Sequence, residues 1–417
     1  MHNAQMAPLA QAQEMRLTAG HVPVHRRLVH VLLNWLAFGI CYPLANQLAR
    51  QHDVRRSLAI GLDAAIPFLP WMALPYASFG LLFTLVFFLV RGEEALRVAS
   101  RRLLLATVLG CLFFAVLPAR FGMTRPDPID GLPGLVFRWL ALVDQSYNQC
   151  PSLHVAYALI VWLALRPVFD GAVRRLLGAW LLLVAASALF TWQHHLADVI
   201  GGLLLGGTCA WAIRPGATRR HGVSFYYAIG AGVLLLIGVA ALRSWIAAWA
   251  AASLLLVALA YLQRRPDFLG KRAGRHPLRA WLLYWPYLLG YRLTWLLVRL
   301  RERRRAPFSL QAPGLWSGRR LDAREAARLP ADCHVIDLCA ELPETAALRH
   351  ARYLHFPLLD LQAPHPSQLR PVLAALARLQ REGRPVYLHC AMGYSRSRLI
   401  SRLHLRRKHR CPSRSTS

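Results

Sequence analysis

The stretch WMALPYASFGLLFTLVFFLV, residues 71–90, contains no charged side chain. A helix of that length can cross the hydrocarbon core of a bilayer. Similar apolar runs recur between residues 28 and 262, so the sequence predicts a multi-span α-helical membrane bundle. We place about eight spans, at residues 28–48, 70–90, 102–119, 151–166, 177–193, 196–213, 223–242 and 245–262.

The distribution of charged residues also supports a membrane protein. The 417-residue chain is 56% hydrophobic with a formal net charge of +30, and of its 50 basic residues only Lys271 and Lys408 are lysine. The arginines cluster between the apolar runs, where they orient a protein in the membrane and meet anionic lipid. We therefore expect an integral protein of a bacterial inner membrane with both termini cytoplasmic, membrane lipids as partners and no nucleic-acid partner.

The organisation that we expect has five parts. The segment 279–301 is long enough to span the membrane, but Pro286, Gly290 and Arg292 lie near its middle, which favours a helix at the membrane surface. The expected parts are a cytoplasmic segment 1–27, a six-helix core 28–213, two further spans with a basic loop 214–278, a basic interfacial helix 279–305 and a domain 306–417.

From residue 306 the pattern changes to that of a soluble α/β domain. LPADCHVIDLCAEL (329–342) predicts a turn and a buried strand, PSQLRPVLAALARLQREG (366–383) an amphipathic helix, and RPVYLHC (384–390) another strand. Cys390 then opens a short loop that contains Gly393 and ends at Arg396. A loop from a strand to a helix start can bind phosphate through its backbone amides and favour a thiolate nucleophile.

The stretch HCAMGYSRS (389–397) resembles the signature loop of the dual-specificity branch of protein tyrosine phosphatases. The resemblance implies a phosphocysteine at Cys390, a phosphoryl group held by Arg396 and Gly393, and thiolate release assisted by Ser397. The family's acid is an aspartate some 30 residues upstream, which corresponds to Asp360. Asp337 is the competing candidate, although its place in an apolar strand favours a structural role.

The end of the chain departs from that family. RLISRLHLRRKHRCPSRSTS (398–417) stands where the family has a long apolar helix. Burying so many arginines would be costly. We therefore expect residues 398–417 to reflect a frameshift and the domain to be C-terminally truncated.

A second set of polar residues lies in the apolar region, in NQCPSLHVAYA (148–158) and FTWQHHLADVIGG (190–202). His154 and His194 fall at the same end of their predicted spans, and Asp198 follows His194 by one helical turn. Asp198 can orient His194, leaving its other ring nitrogen free to attack phosphorus, while His154 donates a proton. Polar residues at membrane depth are expensive, which favours a functional role.

These segments resemble the type-2 phosphatidic acid phosphatase superfamily, whose motifs read P-S-x-H and H-x-x-x-D. The resemblance implies phosphate binding by Ser152, acid catalysis by His154 and a nucleophilic His194 oriented by Asp198; His195 is the competing nucleophile. The basic first motif is degraded, with Arg120 and Arg125 as candidates. The serine-arginine pair before the nucleophile is absent, as in the branch similar to inositol-phosphoceramide and sphingomyelin synthases.

Together the two motifs predict a lipid phosphatase that uses a phosphohistidine site on the non-cytoplasmic face and a phosphocysteine site in the cytoplasm. Neither site requires a metal ion or cofactor, because nucleophile, acid and phosphate-binding groups are all protein groups. Two alternatives stay open: transfer of a phospho-head-group between lipids, and a membrane-tethered phosphatase acting on a phosphoprotein.

Overall fold

The computed structural model of the chain describes residues 22–51, 57–126, 129–143, 147–216, 221–238, 243–349 and 352–410. Residue contacts divide the chain into two compact units, which are considered separately. The first contains residues 1–220 and 232–248, and the second contains residues 221–231 and 249–417.

The region up to residue 262 is helical, as the apolar runs predict. Helix α3 begins after Gly92, and the acidic Glu93 and Glu94 in its first turn suit the positive end of the helix dipole. The helices are α1 (Val24–Arg50), α2 (Ala73–Leu89), α3 (Glu93–Val116), α4 (Gly131–Val143), α5 (Leu153–Leu165), α6 (Gly171–Phe190), α7 (Leu196–Ala212), α8 (Gly222–Ile237) and α9 (Trp245–Leu262).

Among the described residues, five helices are long and apolar enough to cross a membrane: α1, α2 with the preceding turn, α3, α6 and α9. The multi-span character is therefore confirmed. Helices α5, α7 and α8 are apolar but shorter. At 1.5 Å per residue, the 13 residues of α5 cover about 20 Å. The count of eight spans stays a prediction.

Three glycines bring α5 and α7 into close contact. A Cβ atom added at Gly202 would lie 2.5 Å from the carbonyl oxygen of Ser152, and one at Gly206 would lie 3.0 Å from that of Ala156. At Gly201 the added atom would meet the Sγ atom of Cys150 at 2.9 Å. Small residues at this interface let the two helix backbones approach, as in other membrane helix pairs. This contact joins the two polar motifs of the sequence.

The second unit contains a five-stranded mixed sheet in the order β1-β2-β5-β3-β4, which confirms the predicted α/β domain. Strands β1 and β2 form an antiparallel hairpin, and β2, β5, β3 and β4 run parallel. All five residues of β5 are buried, as expected of a central parallel strand. The strands are β1 (Phe308–Ala312), β2 (Leu315–Arg319), β3 (His334–Cys339), β4 (Tyr353–Leu358) and β5 (Val386–Cys390).

Besides parts of α8 and α9, the described residues of the second unit form four helices: α10 (Leu278–Arg301), α11 (Ala323–Ala326), α12 (Pro366–Arg381) and α13 (Arg396–Arg410). Helix α10 is kinked at Tyr284, two residues before Pro286. Trp295 of α10 belongs to the same buried cluster as Cys339, Leu342 and Ala391 of the α/β domain. The segment expected to act as an interfacial linker therefore also packs against the domain that follows it.

Beyond Arg396, the arginines of α13 whose side chains the structure describes are exposed, contrary to what the sequence suggested. Arg398 and Arg402 are exposed, whereas Ile400, Ser401 and His404 of the same helix are buried. The helix is amphipathic, with its charged side in solvent, so burial of charge gives no reason to suspect a frameshift within its described residues. Residues 411–417 lie outside the described residues.

Candidate active sites

The histidine and aspartate of the H-x-x-x-D motif lie together at the start of α7. The Nδ1 atom of His194 is 3.6 Å from Oδ2 of Asp198, and both side chains are buried. The same carboxylate oxygen accepts a 2.8 Å hydrogen bond from the backbone amide of His195, which fixes the first turn of the helix. Asp198 is thereby placed behind the ring of His194.

The P-S-x-H segment is bonded directly to this helix start. The backbone amide of Ser152 donates a 2.9 Å hydrogen bond to the carbonyl oxygen of Asp198. The Oγ atom of Ser152 is fully buried and has no hydrogen-bond partner among the described residues. A buried hydroxyl without a partner is costly and is often found where a ligand binds.

His154 and His194 line the same cavity of about 180 Å³. The ring of His154 stacks on Tyr76 at a centroid distance of 3.9 Å. The structure thus brings together the two histidines that the sequence paired. The rest of the lining is largely aromatic, with Trp35, Phe38, Tyr42, Tyr76, Phe79, Phe83, Phe114, Trp139 and Tyr157.

His195 has a different environment from His194. Its Nε2 atom accepts a 3.2 Å hydrogen bond from the amide of Gly122, and Phe121 stacks on its ring at 4.4 Å. Its Nδ1 atom is 3.7 Å from Asp63, whose other oxygen accepts a bond from the amide of Leu196 at 2.8 Å. These contacts hold the turn that precedes α7. The sequence did not predict that Asp63 stabilises this turn, because residue 63 lies far from the motif in the chain.

The two candidate arginines differ in position. Arg125 is half-buried and donates to the side-chain oxygen of Gln193 at 2.9 Å, next to His194 in the chain. Arg120 is exposed and stands two residues before Gly122, the partner of His195. The segment 120–125 therefore lies against the turn that carries the histidines, and Arg125 contacts Gln193, the residue before His194.

Cys390 ends the central strand of the second unit, and its Sγ atom is 3.5 Å from Oγ of Ser397. The loop that follows requires Gly393: its φ angle is +76°, and an added Cβ would lie 2.9 Å from the backbone nitrogen of Arg319. Helix α13 then begins at Arg396. The strand, loop and helix start are arranged as the sequence predicts.

Arg396 is buried and points toward two carboxylates. One terminal nitrogen donates to both oxygens of Glu341, at 3.0 and 2.9 Å, and to the carbonyl oxygen of Leu358 at 2.7 Å. Its Nε atom is 3.4 Å from Asp360. Glu341 was missed in the sequence because it lies 55 positions from Arg396 and belongs to no recognisable motif.

Asp360 lies beside the cysteine loop. One of its oxygens accepts a 3.3 Å hydrogen bond from the hydroxyl of Ser395, and the other accepts one of 3.2 Å from Tyr291 of α10. The position suits the acid role that the resemblance implies. Tyr291 comes from the segment expected to be a linker, so its contact with the site was not anticipated.

Asp337 is fully buried on the interior strand β3, within a network of charged side chains. It accepts hydrogen bonds from Lys271 and from the hydroxyl of Tyr353, both at 2.6 Å. Lys271 also donates to the carbonyl oxygens of Cys339 at 2.9 Å and Leu342 at 2.6 Å. This arrangement favours the structural role for Asp337.

His389, which precedes the cysteine, joins the same network. Its Nε2 atom is 2.7 Å from Glu344 and 3.7 Å from Asp337. Burial alone lowers the pKa of His389, but the two carboxylates outweigh it and raise that pKa above the usual value. Asp337, Glu344 and His389 could together offer a metal ion three ligand atoms. The ammonium group of Lys271 already supplies a positive charge to Asp337.

Comparison with known proteins supports one of the two resemblances. Residues 99–221 match the PAP2 superfamily. The matched range runs from α3 through α7 and contains both histidine motifs. No curated protein and no solved structure matches the chain.

Proposed function

We propose that this PAP2 superfamily domain, embedded in the membrane, hydrolyses lipid phosphomonoesters through a phosphohistidine intermediate on His194. The observation that carries the proposal is the shared cavity: His154 and His194 both line it, with Asp198 3.6 Å from the far ring nitrogen of His194. Superfamily membership supports phosphatase or phosphotransferase chemistry on lipid phosphates.

In the first step, the Nε2 atom of His194 attacks phosphorus and the bond from phosphorus to the ester oxygen breaks. His154 gives a proton to the departing alkoxide, and Asp198 stabilises the positive charge that develops on His194. Water then attacks the phosphohistidine with His154 as base, which releases phosphate and restores both histidines. The amides and hydroxyl of the Ser152 segment and the guanidinium of Arg125 are the groups proposed to bind the phosphoryl oxygens.

The lining of the cavity supports a lipid substrate. Its aromatic side chains would contact glycerol and acyl carbons beside the two histidines. The same lining favours transfer as the second candidate, because an acceptor alcohol of a lipid could occupy the cavity in place of water. Supplying an acceptor lipid separates the two: free phosphate indicates hydrolysis, and a new phospholipid indicates transfer.

We propose a second phosphatase site at Cys390. Support comes from the placement of Cys390 at the end of the central strand, from Gly393 at positive φ and from Asp360 beside the loop. The thiolate of Cys390 would attack phosphorus while Asp360 gives its proton to the leaving oxygen. Asp360, now a carboxylate, would then take a proton from water as the water oxygen attacks phosphorus, and the phosphorus–sulfur bond would break to release phosphate, with Ser397 donating a hydrogen bond to the departing sulfur.

Helix α10 supports a lipid substrate for this second site too. Its aromatic side packs on the α/β domain, whereas Leu282, Leu289, Leu293 and Leu297 on its other side are exposed. Exposed leucines beside arginines suit a helix lying on an anionic membrane surface. Replacing Leu293 and Leu297 by glutamate should reduce activity on vesicle-bound substrate and leave activity on a soluble phosphomonoester unchanged. Equal loss on both substrates would contradict this.

The arginine pattern leads us to propose that the histidine site faces away from the cytoplasm and the cysteine domain faces it. A protease added to inside-out vesicles should then remove a tag fused after residue 417, and right-side-out vesicles should protect the tag. The reverse pattern would refute the orientation.

The central experiment measures phosphate release from phosphatidic acid in detergent micelles by the full chain and by His194→Ala and Cys390→Ser variants. We expect His194→Ala to abolish the membrane-site activity and Cys390→Ser to preserve it. His195→Ala is the matched comparison, because His195 neighbours the nucleophile in the chain but holds the turn. Full activity in His194→Ala would refute the proposal.

A further inference from the structure

A polar cavity of about 390 Å³ lies beside the cysteine loop. This volume is within the range of about 300–1,000 Å³ that is usual for small-ligand pockets. Its walls come from four parts of the second unit: the segment 302–307 that follows α10, the β1–β2 hairpin, the cysteine loop from Met392 to Tyr394, and the exposed side of α13.

Arginines dominate the charge of this cavity: Arg305, Arg319, Arg398 and Arg402 line it against one acidic residue, Glu302. Glu302 is already engaged, because it accepts a 2.8 Å hydrogen bond from Tyr394 and lies 3.7 Å from Arg305. The cavity therefore keeps an excess of positive charge.

Two of the arginines have no acidic partner among the described residues. Arg398 and Arg402 are one helical turn apart on α13, with exposed side chains. Arg319, at the base of the cavity, is 5% exposed; two of its nitrogens bind Glu325 at 3.0 and 2.7 Å, and its Nε atom has no hydrogen-bond partner. The guanidinium of Arg398 lies 5.9 Å from the ring centroid of Tyr394. A concave site with a buried guanidinium N–H that has no hydrogen-bond partner, and with two arginines that have no acidic partner among the described residues, suits an anion with several oxygen atoms.

The cavity is close enough to the nucleophile to take part of the same substrate. Gly393 lines the cavity and is the third residue after Cys390, a separation that the chain can extend to about 10 Å at most. A flat membrane surface would contact protruding side chains, whereas Arg319 and Ser317 lie recessed and are each 5% exposed. A group that enters the cavity fits this shape better.

We infer that this arginine cavity binds a second phosphate of the substrate, so that the cysteine site acts on phosphomonoesters whose organic part carries another phosphate. The inference rests on the proposed phosphatase activity of Cys390. The second phosphate can belong to a lipid head group or to a soluble metabolite, because the arginines would recognise either. It is bound but does not react.

The test uses the full chain in detergent micelles with His194→Ala in every protein, so that only the cysteine site can turn over. One substrate pair is soluble, fructose 6-phosphate and fructose 1,6-bisphosphate. The other is lipid, phosphatidic acid and phosphatidylglycerol phosphate, of which only the second carries another phosphate. The variant is Arg398→Gln with Arg402→Gln, and the control is Arg406→Gln with Arg407→Gln, two exposed arginines of α13 outside the cavity lining.

We expect the cavity variant to raise KM for the two-phosphate substrates by about tenfold, with kcat unchanged and with KM for the one-phosphate substrates unchanged. The control should match the parent protein. An effect confined to the lipid pair would support the inference and identify the lipid as the source. Equal changes for one-phosphate and two-phosphate substrates, or no change at all, would overturn it.

A binding measurement tests this inference separately from the proposed phosphatase activity. Calorimetry with fructose 1,6-bisphosphate on the Cys390→Ser protein should show binding that the cavity variant loses and the control keeps. That result without turnover by any protein would support the anion site and refute the phosphatase. Turnover with equal binding by cavity variant and control would refute the anion site alone.

Discussion

The histidine site and the cysteine site, for both of which we propose phosphatase chemistry, differ in how their side chains are held in place. At the histidine site, Asp198 is the described carboxylate next to His194, and Asp63 is the one next to His195. The cavity that His194 lines is largely aromatic. At the cysteine site, Arg396 is held by Glu341 and Asp360, and Lys271 and His389 are paired with further buried carboxylates.

The two sites differ in their number of charged groups because one lies in an apolar helix bundle and the other in an α/β domain. Within an apolar helix bundle each charge costs several kcal/mol, so close helix packing and two aspartates, Asp198 beside His194 and Asp63 beside His195, position the histidines. In an α/β domain, buried charges are tolerated when each has a partner, and paired charges fix geometry over long sequence separations. Five substitutions test this contrast, taken in order of decreasing expected effect.

The first is Asp198→Asn, which removes the carboxylate beside His194. The asparagine oxygen can still accept from the amide of His195, so the fold should persist. Loss of the charge that orients His194 should lower kcat on phosphatidic acid by about 10³–10⁴-fold, as expected for a histidine held in the wrong tautomer. Asp170→Asn is the control, because Asp170 is exposed at the other end of α6. A loss below tenfold would contradict the assigned role.

The second is Lys271→Met, which removes the cation of the buried network. Asp337 would be left buried without its ammonium partner, so the cysteine domain should lose about 3–5 kcal/mol of unfolding free energy. Hydrogen exchange of β3 in the full chain would report the loss. The exposed Arg272→Met is the matched comparison. Unchanged exchange of β3 would show that the network does not stabilise the domain.

The third is Gly202→Ala at the contact between α5 and α7. The new methyl group would meet the backbone oxygen of Ser152 at 2.5 Å, which should cost about 1–3 kcal/mol and separate the two histidine motifs. The thermal midpoint and the phosphatase activity should both fall. Gly207→Ala, with no atom within 4 Å, should leave both unchanged. Equal behaviour of the two variants would rule out the packing argument.

The fourth is Tyr291→Phe, which removes the hydrogen bond from α10 to Asp360. One such bond is worth about 1 kcal/mol, so kcat on a soluble phosphomonoester should fall about fivefold in a His194→Ala background. Tyr284→Phe in the same aromatic cluster should have no effect. If both variants behave alike, α10 supports the domain by packing alone.

The fifth concerns pH. The pKa of His389 is raised in the folded chain, so its pairing with Glu344 stabilises the domain fully below the unfolded pKa of about 6.5. That contribution is lost as pH rises through the folded pKa. Hydrogen-exchange protection factors of β5 should therefore decline with rising pH above neutrality, and the decline should be weaker in His389→Gln. An identical decline in both proteins would refute the linkage.

Much of the fold was readable from periodicity. Long apolar runs predicted the helical membrane region, and the pattern after residue 306 predicted an α/β domain with Cys390 at a strand end. The β1–β2 hairpin, strand β4 and the mixed order of the sheet were not predicted. The predicted number of eight spans stays a prediction, because α5, α7 and α8 are shorter than the apolar runs from which the spans were predicted. The cost of burying charge that the sequence suggested for Arg398, Arg402, Arg406 and Arg407 was wrong, because these side chains are exposed. The sequence alone does not show which face of a helix is in contact with solvent.

The chain by itself determined which residue types are available: His154, a His194 that precedes Asp198 by four residues, and a cysteine and an arginine flanking a glycine loop. Only the tertiary structure decided their surroundings. It set His194 in the cavity and His195 in the turn, and it paired Lys271 with Asp337 and Arg396 with Glu341 across 66 and 55 positions. Such pairs depend on the order of strands and the packing of helices. The two partners are close in space but far apart in the chain, so no periodic pattern in the sequence predicts them.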